Sequence, residues 1–233
     1  MELSKRLQAV ANLVSDGQIV ADVGTDHGYI PIYLLQTGKS PKAIAMDVNK
    51  GPLMRAKDHI AAYGLGAAIE TRLSDGVRNL QIGECECVVV AGMGGALTIK
   101  ILEEGKEIFR NLKEFVLQPQ SELYKVREYL CENAYCVVEE NMVLDDGKFY
   151  PMFRVVNGQS PEYHAIELRY GKLLLEQKNA VLKAFLEKEK SVKEVILANL
   201  DKSCGAHIEV RKKEIQEELE GIKYALQRYY EGD

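Results

Sequence analysis

Up to residue 157, apolar positions along the chain follow two rhythms that take turns. Leu3, Leu7, Val10 and Val14 recur at helical spacing and predict an amphipathic helix over residues 1–16. Gln18 to Val23 then reads as a short buried strand, followed by a glycine loop and a helix through YIPIYLLQTG. The cycle repeats with KAIAMDV as strand and GPLMRAKDHIAAYG as helix, and IETRLSDG adds a third strand. CECVVVAGMGG is a strand entering a loop, and ALTIKILEEGKEIF reads as one helix. FVLQPQS supplies a fifth strand and ELYKVREYLCENA the helix after it. Regular strand–helix alternation implies an α/β, doubly wound parallel sheet with helices on both faces. The segment YCVVEENMVLDDGKFYPMFRVV changes the pattern. Two β-rich runs flank Asp146-Gly147, which predicts an antiparallel pair closing one edge, for six or seven strands in all.

Beyond NGQSP (157–161), read as a linker, no convincing strand follows. Apolar residues from Leu173 and Leu174 through Leu200, and from Ile208 to Leu226, return at three- and four-residue intervals among Lys and Glu. A break at DKSCGAH then predicts two long antiparallel helices, a coiled-coil-like hairpin. The expected division is 1–158 for the sheet domain and 159–233 for the hairpin.

Composition narrows the class. With 233 residues, 46% hydrophobic and 28% charged, the chain can bury a sizeable core. Its start alternates charged and apolar residues, unlike a signal peptide, and no apolar run approaches a membrane span. Five cysteines, at 85, 87, 131, 136 and 204, include no CxxC, and the four histidines show no ligand spacing. Unpaired thiols, no metal and a cytoplasmic location are the expectations. A net charge of −5 speaks against indiscriminate coating of nucleic acid but leaves room for a local basic patch.

Ligands on parallel sheets gather at the carboxyl ends of the strands, and acids stand there in order. The first strand delivers Asp22 and Gly24, the second Asp47, the third Asp75 and Gly76, and the fourth Gly92 and Met93. Acids repel a dinucleotide pyrophosphate, and GTDHG lacks the GxGxxG expected of a nicotinamide-binding loop. S-adenosylmethionine fits better, because it has no phosphate and offers a sulfonium, an ammonium, ribose hydroxyls and an adenine amine. Asp47 can accept the ribose hydroxyls, Asp75 the amine, and Asp22 can favour the cationic end.

The wording of these motifs goes further. DVGTDHGYIP (22–31), MDV (46–48), SDG (74–76), VVAGMGG (89–95) and LQPQS (117–121) together resemble the bacterial tRNA adenine-22 N1-methyltransferases, the TrmK family. The resemblance spans essentially the whole chain. It implies a Rossmann-like, seven-stranded methyltransferase sheet with a C-terminal helical hairpin, S-adenosylmethionine as methyl donor, and N1 of an adenine in the tRNA D-arm region as acceptor. It also brings Val48, beside Asp47 in MDV, into the cofactor set. Another RNA base or a small molecule is the alternative acceptor, and monomer and dimer both stay open.

The acceptor side has its own candidates. The fourth strand ends in AGMGG rather than the Asn/Asp-Pro-Pro-aromatic motif typical of enzymes that methylate exocyclic amines, which leaves a ring nitrogen open. Adenine N1 carries its own lone pair and needs placement and charge stabilisation rather than a base. Asp26 is the candidate for that electrostatic task, with capping of the next helix as the plainer role. His27, Tyr29, Gln118, Gln120 and Arg6 are candidates for substrate contact, each with an ordinary structural role beside it.

Overall fold

The computed structural model describes residues 1–201 and 206–231, and the side chain of Ala206 is outside that description. It separates into two compact units, Met1–Glu162 and Tyr163–Asp233. In the first, the chain runs through α1 (Lys5–Leu13), β1 (Val20–Val23), α2 (Tyr29–Gln36), β2 (Ala43–Asp47), α3 (Lys50–Ala62), β3 (Ile69–Leu73), β4 (Cys87–Met93), α4 (Gly95–Glu104), α5 (Lys106–Arg110), β5 (Glu114–Pro119), α6 (Leu123–Glu132), β6 (Tyr135–Asp145) and β7 (Lys148–Asn157).

The seven strands lie in the order β3-β2-β1-β4-β5-β7-β6. β1 to β5 pair in parallel, and β7 runs antiparallel to both β5 and β6. Strand order reverses between β1 and β4, the place where such sheets open a crevice at their carboxyl ends. β1, β2 and β5 are buried at every position, as expected for strands covered on both sides. One face packs against α1, α2 and α3 through Val10, Leu13, Leu34, Ala56 and Ile60, which meet Val20, Ala43, Ile69 and Val89. The opposite face takes Phe109 of α5 edge-on against Phe115 of β5, and Arg127 of α6 over the Phe153 ring of β7.

Asp146 and Gly147 both adopt positive φ, 46° and 73°, so Asp145 pairs directly with Lys148 in a two-residue hairpin. The single helix expected over ALTIKILEEGKEIF is instead two. Gly105 divides α4 from α5, and a side chain there would run into Val77 and the Ile101 carbonyl.

The second unit differs more from expectation. Two short helices, α7 (Ala165–Tyr170) and α8 (Lys172–Glu176), precede the long pair α9 (Ala180–Leu200) and α10 (Ala206–Leu226). Leu173 and Leu174 thus belong to α8 and not to a long helix, because Gly171 and Lys178 break the path with φ of 99° and 51°. Asn179 caps α9, its side chain accepting from the amides of Val181 and Leu182. Lys193 pairs with Glu218 and Lys212 with Asp201, so positions rise on one helix as they fall on the other and the pair is antiparallel. The proposed break at DKSCGAH, with Cys204, lies largely outside the described residues. A π-turn, Gln227–Glu231, ends the unit, where the Tyr229 hydroxyl reaches Glu167 and the Tyr230 hydroxyl donates to the Asn179 carbonyl.

The four described cysteines are free thiols. Among the described residues no helix is long and apolar enough to cross a membrane, and no group of His, Cys, Asp or Glu is placed to hold a metal ion.

Candidate functional site

Residues the sequence singled out lie at or just beyond the carboxyl ends of the parallel strands. Asp22 lies inside β1 and is almost fully buried. Burial pushes its carboxyl up to about 6; the Thr25 hydroxyl partly opposes this, and the Asp47 charge adds to it. Two residues on, Gly24 turns the chain with φ 77° and approaches the terminal methyl of Met93 so closely that a β-carbon would collide with it. Asp47 closes β2, also buried, and its Oδ1 accepts the Asn49 amide at 2.7 Å. Val48 beside it is exposed. Asp75 and Gly76 follow β3. The Asp75 carboxylate is open to solvent and meets Arg78 at 3.0 Å, while Arg78 also reaches Glu104 at 2.9 Å.

At the end of β4 the same rim gathers residues from distant parts of the chain. Gly92 (φ 80°) leaves space that Arg6 and Gln120 approach, with Arg6 Nη1 3.4 Å from where a β-carbon would stand. Arg6 donates to Gln118 Oε1 at 2.9 Å, lies over the Tyr150 ring, and has its backbone amide held by Asp145 at 3.0 Å. Gln118 is fully buried and its amide nitrogen points to the Pro119 carbonyl, so its side chain anchors Arg6. Gln120 is exposed, and its backbone amide ties the loop after β5 to the Met93 carbonyl at 2.8 Å.

The loop between β1 and α2 forms a second group. Asp26 does not cap α2. The N-cap is Gly28, in left-handed conformation and with no side-chain cap bond. Asp26 is exposed instead and pairs with Arg55 at 3.1 Å and with His27 Nε2 at 3.3 Å. His27 and Tyr29 stack with ring centroids 5.2 Å apart and nearly parallel planes. His59 completes the cluster, 5.3 Å from His27 and 5.7 Å from Tyr29. Arg55 and His59 were missed by sequence reasoning. The available signal was two polar residues four apart on α3, flanking Ala56 and Ile60 on the buried side.

The rim thus offers two adjoining chemistries. One is a row of acids on successive strands, suited to a ligand rich in donors and positive charge. The other is an exposed acid beside a half-exposed set of rings, suited to a flat, hydrogen-bonding partner.

Residues 3–153 match the family model described as a methyltransferase domain. Over 193 residues the chain is 37% identical to the tRNA (adenine(22)-N(1))-methyltransferase of Bacillus subtilis, covering 81% of this chain and 80% of that protein. The Streptococcus pneumoniae protein Sp1610, solved in complex with S-adenosyl-L-methionine, superimposes with a TM-score of 0.87 at 32% identity, over 97% of this chain and 100% of that one. M. capricolum TrmK, solved with S-adenosyl-homocysteine, gives a TM-score of 0.83 at 28% identity, over 97% and 98% of the two chains. With its sheet, its rim and these matches taken together, the chain belongs to the tRNA (adenine(22)-N(1))-methyltransferase, or TrmK, family of methyltransferase-domain proteins.

Proposed function

We propose that the protein transfers a methyl group from S-adenosylmethionine to N1 of adenine 22 in tRNA. The observation that carries this reading is the pair of adjoining groups at the carboxyl rim, in a chain of this family: a ladder of acids on β1, β2 and β3, and Asp26 with its rings beside it.

The residues fit the cofactor. Asp22 is a buried carboxyl raised to about 6, a group that gains from a cationic neighbour, and Gly24 and Gly92 let Met93 and Arg6 come close to the rim backbone where side chains would crowd them. Asp22 would hold the cationic amino-acid end and Asp47 the ribose hydroxyls. Asp75 would take the adenine amine, sharing its carboxylate with Arg78. Val48, Gly76 and Met93 would line the same pocket. S-adenosylmethionine, when bound, supplies a methyl group on a sulfonium centre. The chain's part is to orient the acceptor and to meet the charge it acquires. Adenine N1 presents its lone pair without deprotonation, so no general base is required. Asp26 stands where a carboxylate can stabilise the resulting cation and accept from the adenine amine, with His27 and Tyr29 as the flat surface beside it. Arg6, fixed by Gln118, and Gln120 serve as polar contacts for the substrate.

In this reading residues 1–158 hold the cofactor and perform transfer, and 159–233 contribute to tRNA binding. Arg169, Lys172, Lys183, Arg211, Lys212 and Lys213 each already face a carboxylate within the second unit, at 2.7 to 3.9 Å. Phosphates must displace those carboxylates, which offsets part of the counterion release. The salt dependence of tRNA affinity is therefore expected to be shallower than six free cations would give, roughly 0.9 per phosphate contact. A log–log slope near five would contradict this.

Incubation with S-adenosylmethionine and transcribed tRNAs, followed by mass mapping of the methylated nucleoside, tests the function. N1-methyladenosine at position 22 is expected. Methyl on another base, or transfer only to a small molecule, overturns the assignment.

A further inference from the structure

His27 adopts φ 63° and Gly28 φ 69°, so two consecutive residues of the loop after β1 are left-handed. Glycine takes that conformation freely. Histidine does so at a cost of about 1 kcal/mol or more, and persists there only when its surroundings hold it. The helix that follows supplies no such hold, since α2 begins on Gly28 without a side-chain cap.

The hold comes from α3. Residues 55, 56, 59 and 60 share one face of that helix, and that face follows the turn residue by residue. Arg55 meets Asp26 at 3.1 Å, His59 Nδ1 lies 3.2 Å from the His27 carbonyl oxygen, and Ala56 and Ile60 lie 3.5 Å from where a β-carbon of Gly28 would stand. The Arg55 pair is exposed on both sides and contributes little. The His59 bond is partly buried and ends on the backbone of the left-handed residue itself.

We infer that His59 is a positioning residue for methyl transfer, holding the Asp26–His27 turn through an Nδ1–H bond to the His27 carbonyl and bracing the His27 and Tyr29 rings. The inference rests on the proposed function for the word transfer, and on the geometry alone for the hold. A carbonyl oxygen only accepts, so the bond fixes the proton on His59 Nδ1 and leaves Nε2 with the lone pair in the neutral ring. The bond stops at the acceptor side of the rim and makes no demand on Asp22, Asp47 or Asp75. Losing it should displace Asp26 and the rings while leaving the cofactor residues in place.

Asparagine and leucine have nearly the same shape, and the asparagine amide nitrogen stands close to where Nδ1 stood. The full-length His59→Leu and His59→Asn variants therefore differ chiefly in the donor. Calorimetry with S-adenosylmethionine and steady-state methylation of transcribed tRNA would be measured on both. His59→Leu is expected to bind the cofactor within about twofold of the parent while kcat falls by about 10- to 100-fold, the scale of a reacting group displaced by about 1 Å. KM for tRNA changes far less, and His59→Asn recovers most of the rate. Parent-like turnover in His59→Leu overturns the inference. So does a joint loss of cofactor affinity and rate that His59→Asn fails to restore. Imidazole nitrogen NMR of the parent near pH 8 gives an independent readout, with His59 expected as the Nδ1–H tautomer; the Nε2–H tautomer removes the bond and the inference with it. A parent that methylates no tRNA would refute the proposed function, whereas the tautomer would still decide whether His59 holds the turn.

Discussion

Glu114 opens β5 and Asp22 lies near the close of β1, and both carboxyls are almost fully buried. Glu114 is supplied from every side. The Ser15 amide and hydroxyl each donate at 2.7 Å and the Arg154 guanidinium approaches at 3.2 Å. Nearby, Glu86 takes the Ile19 amide at 2.7 Å. Asp22 has a hydroxyl neighbour and another acid, and burial raises it to about 6. Acids at the amino end of the sheet are partners already chosen by the fold. Asp22, at the carboxyl end, is held short of partners, which is the electrostatic condition for binding a cation. The contrast teaches where to look for work and where to look for stability.

Substitutions at the two ends should separate the two properties, and the largest effect belongs to the amino end. Glu114→Ala leaves Arg154 with Glu139 and the Ser15 hydroxyl but no buried carboxylate, and orphans the Ser15 amide, so unfolding free energy should fall by about 3–4 kcal/mol. Cofactor affinity of the folded fraction should not change. Denaturant titration alongside calorimetry checks both, and a selective loss of affinity would erase the contrast.

Next comes Asp26→Ala, expected to lose about 100-fold in turnover while keeping cofactor affinity, since its proposed task is charge on the acceptor base. Asp26→Asn keeps an acceptor but not the charge and should recover only part of the rate. Parent-rate methylation of tRNA by both variants would take Asp26 out of the chemistry.

Asp47→Ala should weaken S-adenosylmethionine by about 2 kcal/mol, roughly 30-fold, through the lost charge-assisted bonds to the ribose. Its melting temperature should stay near that of the parent. An unchanged dissociation constant in the folded variant would remove Asp47 from the site.

The smallest effect sharpens the comparison most. Asp22 has a folded pKa of about 6 against an ordinary 3.8, so the folded protein keeps this proton longer than the unfolded chain does. Below about pH 4 the two states agree. As pH rises towards 6 the unfolded chain ionises first, and the native state loses up to about 3 kcal/mol relative to it. Asp22→Asn removes that penalty but buries an amide that costs about 1–2 kcal/mol, so a net gain of about 1–2 kcal/mol is expected in the ligand-free protein above pH 6, and a net loss of about 1–2 kcal/mol below pH 4. The same variant should bind the cofactor poorly. Stability curves at the two pH values decide it: a destabilised variant above pH 6 would mean that Asp22 is as well satisfied as Glu114.

Much of this was legible because it is local. Strand and helix rhythms differ in period, an acid after an apolar run marks a strand's end, and Asp146-Gly147 announces its turn. The helical rhythm also runs unbroken across Gly105, and only the bulk of Val77 and Phe109 shows why a glycine stands at the break. Lys178 turns left-handed with no residue type to betray it. Asp26 before a helix looks like a cap by every local rule, yet the cap is Gly28 and the acid faces Arg55, 29 positions away. Arg55 and His59 could not be read as site residues, because their partners are set by how α3 lies on the sheet.

Arg6 is tied to Gln118 and to Asp145, and Arg154 reaches back to Ser15, across separations of 112, 139 and 139 positions. During synthesis the first helix leaves the ribosome before any of these partners exists. It can pack on β1 and α2 early, but its tie to Asp145 must wait until the final hairpin has emerged. A chain made in this direction thus finishes its rim with residues made well before their partners, a long-range closure of the kind that slows folding.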